Sequence, residues 1–308
     1  MQNLPPTRAL QTLLAAAHAS NGAVLTDVET LPSEEFQAAL QSSRAQVRLE
    51  LDRVLMGTVP EAGLDFLLEC GALHALLPEV HALVGFGDGE WRHKDVWKHT
   101  KQVVGQSVPR LAVRWAALLH DIAKVRTRTI SADGEVHFFG HAEIGARMFD
   151  KLARRTLLWS DDPALHASIR FLVLHHLRAN QYEASWTDSA VRRFARELGA
   201  ELPDLLDLAR ADITTKRPEK RRRGLAQIEE LSSRICQLAA EDAVVPPLPS
   251  GIGNLIMEAF ALPPSRLIGD VKRALESAVD TGDVPGHEPG EFYVELLRKD
   301  PKRWGLPG

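Results

Sequence analysis

The stretch Leu111-Ala-Val-Arg-Trp-Ala-Ala-Leu-Leu-His120-Asp121 decides how this chain is read. It is apolar except for one arginine, and Val113, Ala116 and His120 fall on one helical face. It ends in an adjacent imidazole and carboxylate, and delivering both from one helix end is a start on a divalent metal site. Working outward, the same side-chain types recur at helix-length separations: His99 before the pair, then His141, His176 and Asp212 after it.

Each of these residues continues an apolar stripe. A helix expected over 94–106 puts Val96, His99 and Val103 at i, i+3 and i+7, and the helix with His120 is expected to run from Leu111 to Lys124. Asp162 followed by Pro163 signals a helix start, after which Leu165, Ile169, Leu172, Val173 and His176 line one face. His175 lies about 100° around that axis, so His176 is the inward residue and His175 sits at the edge of the site. Pro203 starts a further helix on which Leu205, Ala209 and Asp212 share a face, and His141 and Glu143 fall in the first turn of another. A lone inward histidine is usually a satisfied core residue. Eight of the 12 histidines, however, lie within the 84 residues from His93 to His176, where even spacing would put about three. Buried carboxylates at 121 and 212 would also need a cation nearby, which a metal supplies.

Elsewhere the pattern is helical nearly throughout. One helix is expected over 7–18, a turn-rich break over 21–32, and a helical block from Ser33 to Leu77 interrupted at Gly57–Pro60 and Gly71. In that block Leu49, Val54, Leu55, Leu64, Leu67 and Leu68 suit packing. A looser segment follows from Gly85 to His93. The one plausible strand pair is a hairpin within 127–139 around Ala132-Asp133-Gly134. After Asp212 comes a basic run, Lys216-Arg-Pro-Glu-Lys220-Arg221-Arg222-Arg223, then a helix to about Glu241, a Pro/Gly-rich loop over 244–253 and two or three further helices. No internal repeat or low-complexity tract is present. The expected fold is all-α, a helical bundle with flanking helical extensions and at most a small hairpin. It is divided as 1–43 (N-terminal extension), 44–93 (linker), 94–214 (metal-site core) and 215–308 (basic segment and C-terminal helices).

Composition narrows the function. With 308 residues, 44% apolar and 25% charged, the chain is an ordinary globular one. A net charge of −4 and a pI near 6.3 exclude general polyanion coating, so any nucleic-acid contact needs a local basic patch. Cys70 and Cys236 fit neither a disulfide nor a metal framework. The N-terminus lacks signal-peptide character, and no apolar run approaches the roughly 20 residues of a membrane span. A cytoplasmic setting is expected, without membrane contact. There is no P-loop, dinucleotide fingerprint or serine elbow. Lys124, one turn after His120, suits a catalytic contact to a substrate phosphate. Arg126 and Arg128 suit phosphate forks, and Lys216, Arg217, Lys220 and Arg221 lie within reach of anything bound at the metals.

These residues resemble the HD superfamily of metal-dependent phosphohydrolases, whose H…HD…D signature is met by His99, His120, Asp121 and Asp212. Asp95-Val-Trp-Lys-His99-Thr, Ala116-Ala-Leu-Leu-His-Asp-Ile-Ala-Lys124, Phe139-Gly-His-Ala-Glu-Ile-Gly-Ala146 and Arg210-Ala-Asp-Ile-Thr-Thr-Lys216 resemble the HD region of bacterial tRNA nucleotidyltransferases, the CCA-adding and poly(A) polymerase group. The similarity extends upstream over 48–86, which looks like their helical linker, and weakly downstream over 268–282. Too few residues precede that linker for the nucleotidyltransferase head, so the hydrolytic half is the part expected here.

The resemblance implies one metal held by His99, His120, Asp121 and Asp212. Asp121 would bridge to a second, held by His141, His176 and possible further ligand His175. Mixed imidazole and carboxylate donors suit Mn²⁺ first, then Fe²⁺, Co²⁺ or Ni²⁺, over Mg²⁺. A water between the metals would have its pKa lowered from 15.7 toward roughly 7, giving a hydroxide to attack phosphorus. The implied substrates are nucleotides or RNA ends carrying 2′,3′-cyclic, 2′- or 3′-phosphate, with a separate polynucleotide kinase or nucleotidyltransferase as partner. Two alternatives stand beside this: a hydrolase of free nucleotides or an alarmone, and a non-catalytic RNA-binding module serving a separate nucleotidyltransferase.

Overall fold

A computed structural model describes residues 7–25, 28–87, 95–243 and 246–307. The expectations placed on Met1–Pro6, His93, Lys94 and Val244 lie outside the described residues. Contacts divide the chain into two compact units, Met1–Cys236 and Gln237–Gly308. The first three expected segments fall within the first unit, and the division falls inside the fourth.

In the first unit, α1 (Arg8–Ala19), α2 (Ser33–Ser42), α3 (Arg44–Met56), α4 (Pro60–Glu69), α5 (Ala72–Leu76) and the short α6 (Pro78–His81) pack on one another. They are followed by α7 (Val96–Gln106), α8 (Leu111–Leu119), the short α9 (Lys124–Thr127), α10 (His141–Thr156), α11 (Pro163–His175), α12 (Asp188–Leu198), α13 (Leu202–Ala211) and α14 (Pro218–Ala243), within which the division between units falls. Strands β1 (Thr129–Ile130) and β2 (Val136–His137) form an antiparallel hairpin pairing Thr129 with His137 and Ile130 with Val136. Among the described residues the fold is all-α apart from this hairpin. The second unit packs α15 (Ile252–Ala259), α16 (Arg266–Asp280) and α17 (Gly290–Lys299) around Ile256, Val271, Leu275, Tyr293, Leu297 and Trp304.

The helix starts follow from local chemistry. Thr7, Asp95, Asp162 and Thr187 each accept a backbone N–H at the first turn of α1, α7, α11 and α12, meeting one of the orphan amides every helix start carries. Helix α8 is the central element. Val113, Trp115, Ala116, Ala117, Leu118 and Leu119 are all buried, and the helix packs against α3, α7, α11 and α13. A helix buried on every side explains why its sequence is apolar nearly throughout.

The structure corrects four expectations. Helix α8 ends at Leu119 rather than Lys124: the Nδ1 of His120 lies 2.8 Å from the Ala117 carbonyl, standing in for the amide that would have continued the helix. The block 33–77 breaks also at Ser43, between α2 and α3. Leu49 is not a core residue but 41% exposed, because α3 buries the face carrying Val47, Glu50, Leu51, Val54 and Leu55. Helix α12 was not expected, although Val191, Phe194 and Leu198 form its buried stripe.

Arg114, the one charged residue of α8, is buried and donates to the carbonyls of Leu55 (2.7 Å) and Ser107 (2.9 Å). It thereby ties α8 to the ends of α3 and α7. Arg114→Met keeps the volume but orphans buried carbonyls, which should cost about 1–3 kcal/mol for each left unpaired. Urea unfolding should show a lowered midpoint with an unchanged slope.

Candidate metal centre

Six of the expected residues come together, each from the end of a helix. His120, His176 and Asp212 are the C-cap residues of α8, α11 and α13. His141 is the first residue of α10, and His99 lies in the first turn of α7 beyond its cap Asp95. Asp121, directly after the α8 cap, lies among them and is 1% exposed.

Two groups of donor atoms share this carboxylate: His99, His120 and Asp121, and Asp121, His141 and His176. In the first, Asp121 Oδ2 lies 3.1 Å from His120 Nε2 and 3.5 Å from His99 Nε2, and the two imidazole nitrogens are 3.3 Å apart. Asp212 Oδ1 joins them, 3.0 Å from His99 Nε2 and 3.7 Å from His120 Nε2. In the second, Asp121 Oδ1 lies 3.6 Å from His141 Nε2, which is 3.1 Å from His176 Nε2.

The tautomers follow from the other side of each ring. His120, His141 and His176 each place Nδ1 within 2.7–2.8 Å of the carbonyl three residues earlier, those of Ala117, Phe138 and Val173. A carbonyl only accepts, so Nδ1 carries the proton and Nε2 of a neutral ring presents a lone pair to the cluster. The carbonyls of Ala117 and Val173 belong to helix C-termini, where the last four carbonyls have no partner within the helix. His99 is oriented differently, with Nδ1 2.9 Å from Thr214 Oγ1.

This arrangement fits divalent cations. The Nε2 atoms of His141 and His176 face each other as lone pairs when both rings are neutral, which a cation between them would resolve. Among the described residues, Asp121 Oδ1 is buried without a hydrogen-bond donor, a costly state for a carboxylate oxygen. Bond lengths of about 2.0–2.2 Å to nitrogen and oxygen put neighbouring ligand atoms about 3 Å apart, and the spacings above are of that size. Imidazoles held through Nδ1 by backbone carbonyls are the usual outer support of metal-binding histidines.

Charge within the cluster is strongly coupled. Burial pushes the Asp212 carboxyl up, but the hydrogen bond from His99 and the nearby His120 outweigh it and bring it to about 2. Asp121 is likewise held well below the ordinary carboxylate range, against its burial, by His120, Lys124 and His99. His120 is raised although burial opposes it, because Asp121 and Asp212 favour its cation. Burial, reinforced by His120, brings His176 down to about 4. His120, Asp121 and His176 are closed off, while Asp212 and Lys124 are about one-fifth exposed. Lys124 Nζ lies 2.7 Å from Asp121 Oδ2, above the Phe138 ring.

The remaining expected residues lie outside the cluster. His175, expected as a possible further ligand, is turned away by helix phase and packs its ring against Phe171 at 4.3 Å. Arg126 and Arg128 are exposed, the latter over the Phe86 ring. Lys216, Arg217, Lys220 and Arg221 are exposed at the turn into α14 and along its first residues. Lys216 follows Thr214 by two residues, which keeps their Cα atoms within about 7 Å. Thr214 was missed from sequence; its only signal was its place two residues after Asp212.

Residues 95–217 match the family model described as the HD domain. The chain holds all six residues of the cluster within that match. It is 30% identical over 258 residues to the A-adding tRNA nucleotidyltransferase of Deinococcus radiodurans, covering 81% of this chain and 57% of that protein. It is also 30% identical over 263 residues to the CC-adding tRNA nucleotidyltransferase of Thermus thermophilus, with 83% and 57% covered. A multifunctional CCA protein of Pseudomonas fluorescens is 42% identical over 80 residues, 24% of this chain and 20% of that one. The chain thus spans little more than half the length of the first two relatives. Among the described residues, no helix is long and apolar enough to cross a membrane.

The depressed His176 gives the metal-free protein a defined pH response. An unfolded histidine takes up a proton near 6.5, whereas His176 in the fold does so near 4. Its contribution is therefore complete above about pH 6.5 and is lost as pH falls toward 4, up to about 3 kcal/mol. Urea unfolding in EDTA at pH 7 and pH 4.5 should show this loss, and His176→Gln should reduce it. An equal loss in both proteins would contradict the assignment.

Proposed function

We propose that this chain is a phosphohydrolase that uses divalent transition metals to cleave phosphate esters of nucleotides or RNA ends: 2′,3′-cyclic phosphates and 2′- or 3′-phosphates. The observation that carries the reading is the buried Asp121 shared by two sets of donor atoms. His99, His120, Asp121 and Asp212 would hold one ion, and Asp121, His141 and His176 a second. The imidazole-rich set favours Mn²⁺, Fe²⁺, Co²⁺ or Ni²⁺. Ions bound there supply Lewis acidity toward phosphoryl oxygens and lower the pKa of water.

The chain's own residues do the rest. The Nδ1 contacts to Ala117, Phe138 and Val173 lock three rings, so little reorganisation is needed when substrate arrives. Lys124, partly exposed beside Asp121, offsets charge that builds on the phosphate. Arg126, Arg128 and the exposed run from Lys216 would steer and hold a polyanion. The RNA end as substrate is supported by relatives named as tRNA nucleotidyltransferases, and by that local basic run in an otherwise acidic chain. A separate kinase or nucleotidyltransferase acting on the same RNA end would be its partner.

The test is turnover with Mn²⁺ of a panel: 2′,3′-cyclic nucleotides, 2′- and 3′-nucleotides, deoxynucleoside triphosphates and RNA with a cyclic phosphate end. Turnover confined to triphosphates would replace the RNA-end reading with a free-nucleotide hydrolase. RNA binding without turnover of any substrate would leave a binding module. His176→Ala should abolish most activity while His175→Ala retains most of it, because only His176 faces the cluster.

Neutralising Arg221, Arg222 and Arg223 together should raise KM for an RNA end far more than for a mononucleotide. The salt dependence of RNA binding should flatten by up to roughly 0.7 in log–log slope for each single-strand phosphate contact removed. An equal effect on both substrates would instead put the run in the catalytic pocket.

A further inference from the structure

Of the four histidines in the cluster, His99 is the one whose Nδ1 does not meet a carbonyl. Its partner is the Thr214 hydroxyl, 2.9 Å away. On the opposite edge of the same ring, Nε2 lies 3.0 Å from Asp212 Oδ1. Asp212 caps α13 and Thr214 follows two residues later, so a single turn grips both nitrogens of one ring. The turn is itself anchored. Gln106, the last residue of α7, donates to the Ala211 carbonyl at 2.7 Å. The amides of Asp212 and Ile213 donate back to the carbonyls of Leu208 and Arg210. Thr214 is buried and the His99 side chain is 12% exposed, which leaves little room for water to replace either partner.

The difference between a carbonyl and a hydroxyl decides what each ring can do. A carbonyl only accepts, so His120, His141 and His176 keep their Nδ1 protons whether or not a cation is bound. A hydroxyl both donates and accepts, and its hydrogen rotates to suit. An ionised carboxylate only accepts, so 3.0 Å from Asp212 the Nε2 of His99 carries a proton. In a neutral ring Nδ1 is then a lone pair, and Thr214 donates to it. To serve as a ligand, Nε2 must instead present a lone pair, which leaves the ring's proton on Nδ1. Thr214 then accepts. The ring stays neutral in both states, giving one proton to solvent from Nε2 and taking one at Nδ1. Rotation about one O–H bond satisfies both tautomers, which neither a carbonyl nor an ammonium could do.

We propose that Thr214 is a positioning residue for the first metal group, its hydroxyl letting His99 alternate between a hydrogen bond to Asp212 and coordination through Nε2. The inference rests on the hydrolase reading above and names the ligand that exchanges partners as an ion arrives or leaves. The effect is confined to the first group. The second shares only Asp121 with it, and both of its rings are tied to carbonyls.

The test compares the full-length protein with Thr214→Val, which keeps the shape and loses the hydroxyl, and Thr214→Ser, which keeps the hydroxyl. NMR of isotope-labelled histidine nitrogens in mildly alkaline buffer reads the tautomer of His99, its signal assigned by its absence in His99→Gln. The unmodified protein should show the Nε2–H tautomer without metal and the Nδ1–H tautomer once loaded with diamagnetic Zn²⁺. In competition with a chelator, Thr214→Val should bind one ion about 10- to 100-fold more weakly, with affinity for the other unchanged. Thr214→Ser should bind both like the unmodified protein. If Thr214→Val does not fold, the tautomer exchange in the unmodified protein and in Thr214→Ser decides. A metal-free His99 protonated at both nitrogens, one tautomer throughout, an equal loss for both ions, or no loss in Thr214→Val would overturn the role. Absence of any Zn²⁺ uptake would overturn it together with the hydrolase reading. If the Mn²⁺-loaded protein cleaves esters while His99 keeps one tautomer, the hydrolase reading stands and the role of Thr214 falls. If the exchange is found and no ester is cleaved, the role stands and the hydrolase reading falls.

Discussion

A carboxylate closed to water, with one oxygen that meets no donor, is held in place only if its surroundings supply positive charge. Asp121 is that group, and much of the first unit is arranged around it. On one side His120 and Lys124 offset its charge; on the other, Oδ1 faces His141 and His176 without a hydrogen bond. Three rings whose Nδ1 protons are committed to backbone carbonyls cannot rotate away to relieve the crowding of their Nε2 lone pairs. The protein thus gives up local stability to keep five helix ends in one geometry, a trade that makes sense where a cation completes the set.

The same carboxylate separates the roles of its neighbours. Against its burial, Asp121 and Asp212 hold His120 above the ordinary histidine range, whereas burial brings His176 down to about 4. Because ligands must be deprotonated to bind, a proton competes with a cation more strongly at His120 than at His176. The two halves of one site are therefore unequal before any ion arrives.

Much of this was legible in the sequence because the core fixes the rotation of each helix. Once Ile169, Leu172 and Val173 are inward, the phase of α11 settles that His176 faces the cluster and His175 does not, and the same logic carried His99, His120 and Asp212. What escaped was of a different kind. Thr214 is one threonine of two in a turn, and only its 2.9 Å contact with His99 marks it. The carbonyls of Ala117, Phe138 and Val173 have no side-chain signature at all. The end of α8 was placed late because an imidazole replacing a backbone amide leaves the apolar pattern unchanged, and Leu49 was misplaced because α3 buries Glu50 beside it. The hairpin was visible as a turn, yet which of its rings would lie in solvent depends on packing against Phe86 and Lys124, residues distant in sequence.

Placing ligands at helix ends has an electrostatic consequence of its own. Helices α8, α11 and α13 bring their C-terminal ends to the site, and α7 and α10 their N-terminal ends. Each C-terminal end carries roughly half a negative charge and each N-terminal end roughly half a positive one, so the backbone leaves the pocket with a negative balance. These partial charges cannot be titrated and survive replacement of any single side chain. The backbone gives the pocket a polarity of its own, with carbonyl ends toward cations and amide ends toward anions, set by where the helices stop.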